Sequence, residues 1–118
     1  MRIFIAFGTR PEAIKLAPLI KRIQCFPQLD GVVCNTGQHR TMVDQVLKFF
    51  GISVQCDLNV MTFGQDLFRV TREVLRRIEG VMKQEKPDIV VVQGDTTSGM
   101  TCKFRNIWLD IPFPLCII

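Results

Sequence analysis

The chain opens on a continuous apolar run, Ile3-Phe4-Ile5-Ala6-Phe7, of the kind a parallel strand buried on both faces requires. The period then changes. Apolar residues recur at Ile14, Leu16, Leu19, Ile20 and Ile23, the spacing of an amphipathic helix. Thr9 with Glu12 three residues later fits a capping box, and Pro11 suits a first helical turn. Pro18 falls inside this helix and is expected to kink it or split it in two. Pro27 and Gly31 mark a turn, Val32-Val33-Cys34-Asn35 reads as a second strand, and Gly37 breaks it. Residues 40–50 read as a second helix with Val43, Val46, Leu47 and Phe50 on one face, stopped by Gly51. Residues 52–63 are irregular, with room for one short strand. From Gln65 to about Lys86 the spacing predicts the longest helix, its buried stripe formed by Leu67, Val70, Val74, Ile78 and Val81. Pro87 ends it, and Ile89-Val90-Val91-Val92 is a second fully apolar strand. Residues 98–109 read as a weaker helix, and residues 111–118 as a strand whose pairing Pro112 and Pro114 limit.

Strands alternating with helices in this way define an α/β fold. The expected architecture is a Rossmann-like, mainly parallel sheet with right-handed crossovers and helices on both faces, one domain over residues 1–118. Ligands of such sheets bind beyond the carboxyl ends of the strands. The places to search are therefore the loops at residues 8–11, 36–40 and 94–97.

Composition narrows the classes. With 118 residues and 47% hydrophobic content the chain can bury a core without disulfide staples. No apolar run approaches the ~20 residues of a membrane-spanning helix. Residues 1–7 read as a strand rather than a secretory signal, and the apolar stretch Leu115-Cys116-Ile117-Ile118 reads as a strand cut short. The charge of +4 is mild, and Arg69/Glu73, Glu73/Arg77 and Glu79/Lys83 stand four apart as helix-surface pairs. Tyr is absent and no aromatics interleave with the basic residues, so a solvated face outweighs a nucleic-acid surface. The five cysteines are widely spaced without a C-x-x-C, and there is one His, so there is no zinc pattern. Reduced cytosolic thiols are the simplest reading.

Three loops carry candidate chemistry. Arg10 and Lys15 fall in the opening turns of the first helix, where the dipole disfavours cations by ~0.3–1 kcal/mol. A bound anion would reverse that sign, drawing on backbone N–H groups, the dipole and a guanidinium. Alternatively, both side chains simply point into water, with Glu12 compensating. Gly94-Asp95-Thr96-Thr97 leaves an apolar strand, Gly94 permitting a sharp turn. Asp95 there could serve as general acid or base, or simply as a helix N-cap, which the residues alone favour slightly. Gln38-His39-Arg40 reads foremost as a polar loop that starts a helix.

Taken together, these motifs resemble one family. Phe7-Gly8-Thr9-Arg10-Pro11-Glu12-Ala13-Ile14-Lys15-Leu16-Ala17-Pro18-Leu19, Thr36-Gly37-Gln38-His39-Arg40, Asp44-Gln45-Val46-Leu47, Asp57-Leu58-Asn59-Val60-Met61, Lys86-Pro87-Asp88 and Gly94-Asp95-Thr96-Thr97 closely resemble the non-hydrolysing UDP-N-acetylglucosamine 2-epimerases. The resemblance implies the N-terminal domain of a two-domain, glycosyltransferase-B-like enzyme, a cytoplasmic homodimer. Such an enzyme interconverts UDP-N-acetylglucosamine and UDP-N-acetylmannosamine for cell-surface polysaccharide synthesis. It eliminates UDP to leave an unsaturated sugar, then re-adds it with C2 inverted, and requires neither metal nor nicotinamide. Arg10 and Lys15 match the family's substrate-binding basic residues. Asp95 matches an acidic residue for substrate binding and proton transfer, and Gln38 a residue near an effector site.

The chain also departs from the family pattern. Residues 99–106 hold Lys103, Phe104 and Arg105 where small apolar residues are expected. After Ile111-Pro112 the family continues to His-x-Glu-Ala-Gly, whereas here Phe113-Pro114-Leu115-Cys116-Ile117 follows. The family's catalytic Glu would fall at Ile117, which cannot move a proton. The His, Ser and Glu that grip UDP belong to a second domain outside the matched motifs. A truncated or degenerate copy is the expectation, with a non-enzymatic phosphate- or UDP-sugar-binding module, or a partner of a full-length epimerase, as the alternative.

Overall fold

The computed structural model describes residues 1–37, 40–60, 64, 66–94 and 115–117, with backbone only at Arg40 and residues 115–117. In chain order the elements are β1 (Arg2–Phe7), α1 (Arg10–Gln24), β2 (Asp30–Asn35), α2 (Arg40–Phe50), β3 (Cys56–Asp57), α3 (Leu67–Glu85), β4 (Ile89–Val92) and β5 (Leu115–Ile117). The five strands form one sheet in the order β3-β2-β1-β4-β5, and every pairing is parallel. Strand β1 lies at its centre, with Ile5 opposite Val33 on one side and Val91 on the other.

The side-chain alternation of β1 assigns its two faces. Ile3, Ile5 and Phe7 join Val33 and Val91 under α1 and α2, packing on Leu16, Ile20, Val43 and Leu47. Phe4 and Ala6 face the opposite way, with Val32, Val90 and Val92, against Val70, Val74, Ile78 and Met82 of α3. Right-handed crossovers require this division, because winding from β1 out to β3 and then back to β4 reverses direction across the sheet. Helices therefore lie on both faces, as the alternation of elements predicts.

Two local expectations change. Helix α1 runs unbroken from Arg10 to Gln24 with Pro18 inside it, so the predicted split does not occur. Pro18 is exposed, and the buried face of Leu16, Ala17, Ile20 and Ile23 holds the turns on either side of it to the sheet. Tertiary burial thus offsets the missing N–H. In α3 the buried stripe is Val70, Val74, Ile78 and Met82, four apart, while Leu67 is 63% exposed and Val81 is only partly buried. Leu67 is the first residue of the helix, and the ridge that meets the sheet begins one turn later. The irregular stretch holds the short strand β3, whose Cys56 pairs with Cys34. Strand β5, Leu115–Ile117, falls within the strand expected at residues 111–118. The weaker helix expected at residues 98–109 lies outside the described residues.

The caps follow local chemistry. Asp66 starts α3, its Oδ1 accepting from the Arg69 amide at 2.8 Å. Lys86 ends α3 in the left-handed region, φ 47° and ψ 60°, immediately before Pro87. At the amino edge of the sheet Arg2 ties three elements together. Its Nε donates to Asp30 at 2.9 Å, its NH1 to the Glu85 carbonyl at 2.8 Å, and its own amide donates to Asp88 Oδ2 at 2.7 Å. Cys25, Cys34 and Cys56 are free thiols, and burial pushes the Cys56 thiol up in pKa, with the Glu85 carboxylate adding to the effect. Among the described residues no helix is long and apolar enough to cross a membrane.

Leu16, fully buried between α1 and the sheet, tests this account of the core. Leu16→Ala is expected to lower the free energy of unfolding by about 2–5 kcal/mol, measured by urea denaturation.

Candidate functional site

The loops that leave the carboxyl ends of β1, β2 and β4 begin at one edge of the sheet. After Phe7 the chain turns through Gly8 and Thr9 and enters α1 at once. Thr9 is the N-cap, with extended backbone at φ −121° and ψ 160°. The capping box expected from Thr9 and Glu12 is carried by the glutamate. One carboxylate oxygen, Glu12 Oε2, accepts the Thr9 amide at 2.9 Å and the Gly8 amide at 2.8 Å. Thr9 Oγ1 is buried without a hydrogen-bond partner.

Two of the backbone N–H groups that an anion could use in this turn are therefore already taken. The Gly8 and Thr9 amides are bound to Glu12, Pro11 has none to offer, and the Ala13 amide closes on the Thr9 carbonyl at 3.1 Å. Arg10 and Lys15 are both exposed, and neither forms an ion pair among the described residues. Five helical steps of ~100° put them about 140° apart around α1, so they do not make one fork. Arg10 faces α2, where with Ile14, Gln45, Val46, Phe49 and Phe50 it lines an open groove of about 360 Å³. Gln45 and Phe49 enter that groove without having been singled out as candidates. For Gln45 the signal was the Asp44-Gln45-Val46-Leu47 motif, whose periodicity reads only as helix; Phe49 lies outside it.

The second loop is built on buried polar groups. Asn35 and Thr36 are 1% and 0% exposed. The Thr36 amide continues the ladder to the Phe7 carbonyl at 2.9 Å, and Asn35 Oδ1 accepts from the Gly37 amide at 2.9 Å. Gly37 has φ +81°, and a Cβ there would lie 2.9 Å from the Asn59 Cα. The loop after β3 is held from the other face of the sheet: Arg77 NH1 donates to the Leu58 carbonyl and, at 3.0 Å, to the Asn59 carbonyl. At the end of β4, Gly94 takes φ +70°, the sharp turn expected of it. Asp95, Gln38 and His39 lie outside the described residues. Among the described residues no group of three or more His, Cys, Asp or Glu side chains could hold a metal.

A parallel sheet whose strand order reverses at its central strand, with its loops leaving from one carboxyl edge, defines the doubly wound, nucleotide-binding class of domain. The sequence profile of the UDP-N-acetylglucosamine 2-epimerases matches residues 21–113. The chain therefore belongs to the UDP-N-acetylglucosamine 2-epimerase family. It is 43% identical over 111 residues to a probable UDP-N-acetylglucosamine 2-epimerase of Ralstonia solanacearum, covering 94% of this chain and 30% of that protein. It is 43% identical over 112 residues to the UDP-N-acetylglucosamine 2-epimerase of Escherichia coli K12, covering 95% of this chain and 30% of that protein. The crystal structure of UDP-GlcNAc 2-epimerase from Neisseria meningitidis bound to UDP-GlcNAc superposes with a TM-score of 0.89 at 40% identity, over 100% of this chain and 32% of that one. The chain thus spans about 30% of the length of the curated relatives it matches.

Gly37→Ala forces a side chain into the left-handed region and against the Asn59 backbone. It is expected to cost at least about 1–2 kcal/mol, read from the shift of the denaturation midpoint.

Proposed function

We propose that this chain supplies the N-terminal wall of a UDP-N-acetylglucosamine 2-epimerase site, and that residues 1–118 form one domain whose catalytic partner is a second nucleotide-binding domain. The observation that carries this reading is the superposition of the whole chain on an epimerase bound to UDP-GlcNAc. In this reading Arg10 binds the anionic part of the UDP-sugar from the groove between α1 and α2. Lys15 adds a second positive charge further along α1. Asp95, the residue after Gly94, binds the sugar and transfers a proton, and Gln38 lies near an effector site. The complete enzyme interconverts UDP-N-acetylglucosamine and UDP-N-acetylmannosamine by eliminating and re-adding UDP, as a cytoplasmic homodimer. Neither metal nor nicotinamide takes part.

A second reading is favoured by one residue. Strand β5 places position 117 opposite Val92, at the carboxyl end of β4, and the residue there is Ile117. The family's catalytic Glu falls at that position, and an aliphatic side chain has no proton to give or take. A non-enzymatic UDP-sugar-binding module, or a partner of a full-length epimerase, would retain Arg10 and use Asp95 only as a helix cap.

Incubation of the 118-residue chain with UDP-N-acetylglucosamine, followed by proton NMR, is expected to show no UDP-N-acetylmannosamine. Its appearance would overturn the requirement for a second domain. The two readings separate on binding. Arg10→Ala is expected to abolish UDP-N-acetylglucosamine binding in both. Asp95→Asn weakens it if Asp95 contacts the sugar and leaves it unchanged if Asp95 is only a cap.

A further inference from the structure

We propose that Glu12 is a positioning residue of this site: its carboxylate holds the turn that presents Arg10, occupying inside the protein the place that a ligand's phosphate takes in other strand–turn–helix anion sites. The inference rests on the reading that Arg10 binds the anionic part of the UDP-sugar. Glu12 is 1% exposed, and taking a carboxylate out of water is unfavourable unless hydrogen bonds compensate. Two of its bonds are visible, and both end on the turn. They are charge-assisted, 2.8 and 2.9 Å long, and share one oxygen. In an ordinary capping box the glutamate returns only to the N-cap amide. Here the same oxygen also takes the amide of Gly8, the first residue beyond β1. One atom therefore ties the exit of the central strand to the start of the helix, with Arg10 as the next residue. The carboxylate also places negative charge at the N-terminus of a 15-residue helix, where the dipole favours it.

Anion sites at such turns direct main-chain amides at the ligand. This turn has already committed two of its amides to Glu12, so ligand affinity depends on where the turn points the Arg10 side chain. Glu12→Ala would leave two buried amides unpaired and free the turn to relax. Glu12→Gln offers one carbonyl oxygen in the same place, able to accept both amides without a charge. Glu12→Asp keeps the charge but is one methylene too short to reach them.

The test is a titration of UDP-N-acetylglucosamine into the 118-residue chain, followed by amide NMR shifts, with thermal unfolding recorded on the same samples and binding read below every transition. Glu12→Ala and Glu12→Asp are expected to bind roughly tenfold more weakly than wild type, and Glu12→Gln within about threefold of it. A merely structural cap would lower the unfolding temperature of Glu12→Ala and leave its affinity unchanged, which would overturn the proposal. Where Glu12→Ala does not fold, the Asp and Gln variants decide: Gln weak with Asp unchanged would overturn it too. If wild type binds and all three variants bind equally, only the role of Glu12 falls. If wild type shows no binding, the reading of Arg10 falls first and this inference with it.

Discussion

Everything in this domain is placed by the burial of β1 on both faces. Its side chains alternate between the core beneath α1 and α2 and the core beneath α3. Its edges are taken by β2 and β4. A strand enclosed on four sides has no freedom of register, since a slip of one residue would exchange Phe4 and Ala6 with Ile3, Ile5 and Phe7. The remainder follows from handedness. The chain winds outward from β1 to β3 under one face and returns to β4 under the other. The order of the strands reverses at β1, so the loops after β1 and β4 leave in different directions. Topology by itself places Gly8 and Gly94 at such a point.

The two edges of the sheet are used differently. At the amino edge, Arg2 of β1 joins β2, α3 and the residue just before β4 through hydrogen bonds to Asp30, the Glu85 carbonyl and Asp88. Of these only the contact with Asp30 is an ion pair, partly exposed, and pairs of that kind add little individually. Their value is in closing the ends of three elements together. At the carboxyl edge the cations Arg10 and Lys15 carry no ion pair among the described residues, while the buried carboxylate of Glu12 is directed inward to the backbone. Positive side chains kept exposed above a turn with two of its amides already bonded make a site in which side-chain placement matters. A glycine-rich phosphate loop would use main-chain groups instead.

Membership of the epimerase family and the share of its length present here point the same way. The chain matches about 30% of its curated relatives, and the sheet edge it supplies is one wall of the proposed cleft. Position 117 separates what the fold requires from what the proposed chemistry requires. An isoleucine continues the parallel ladder beside Val92 without difficulty, because the ladder is made by the backbone. The proton transfer proposed for that position in the family needs a carboxylate, which the ladder does not require.

How much was legible in the residues divides along physical lines. Apolar runs and helical periods located β1, β4, α2 and most of α1 and α3, because those patterns record burial directly. The motif from Phe7 to Leu19 pointed to Arg10, Lys15 and the Thr9–Glu12 cap by residue type. The continuity of α1 through Pro18 was not legible, since sheet burial outweighs a local defect that sequence sees only as a breaker. Met82 in place of Leu67 and Val81 was hidden for a similar reason: several stripes fit one helix, and the sheet chooses among them. Nor could the residues show that Glu12 binds two amides rather than one, or that Arg10 and Lys15 diverge around the helix with Arg10 alone beside Gln45 and Phe49. The sequence by itself thus determined the α/β class, the family and the residue types of the site, because these are written in period and motif. Only the tertiary structure decided which amides are free, which side chains meet and which stripe is buried, because those depend on packing between segments far apart in the chain.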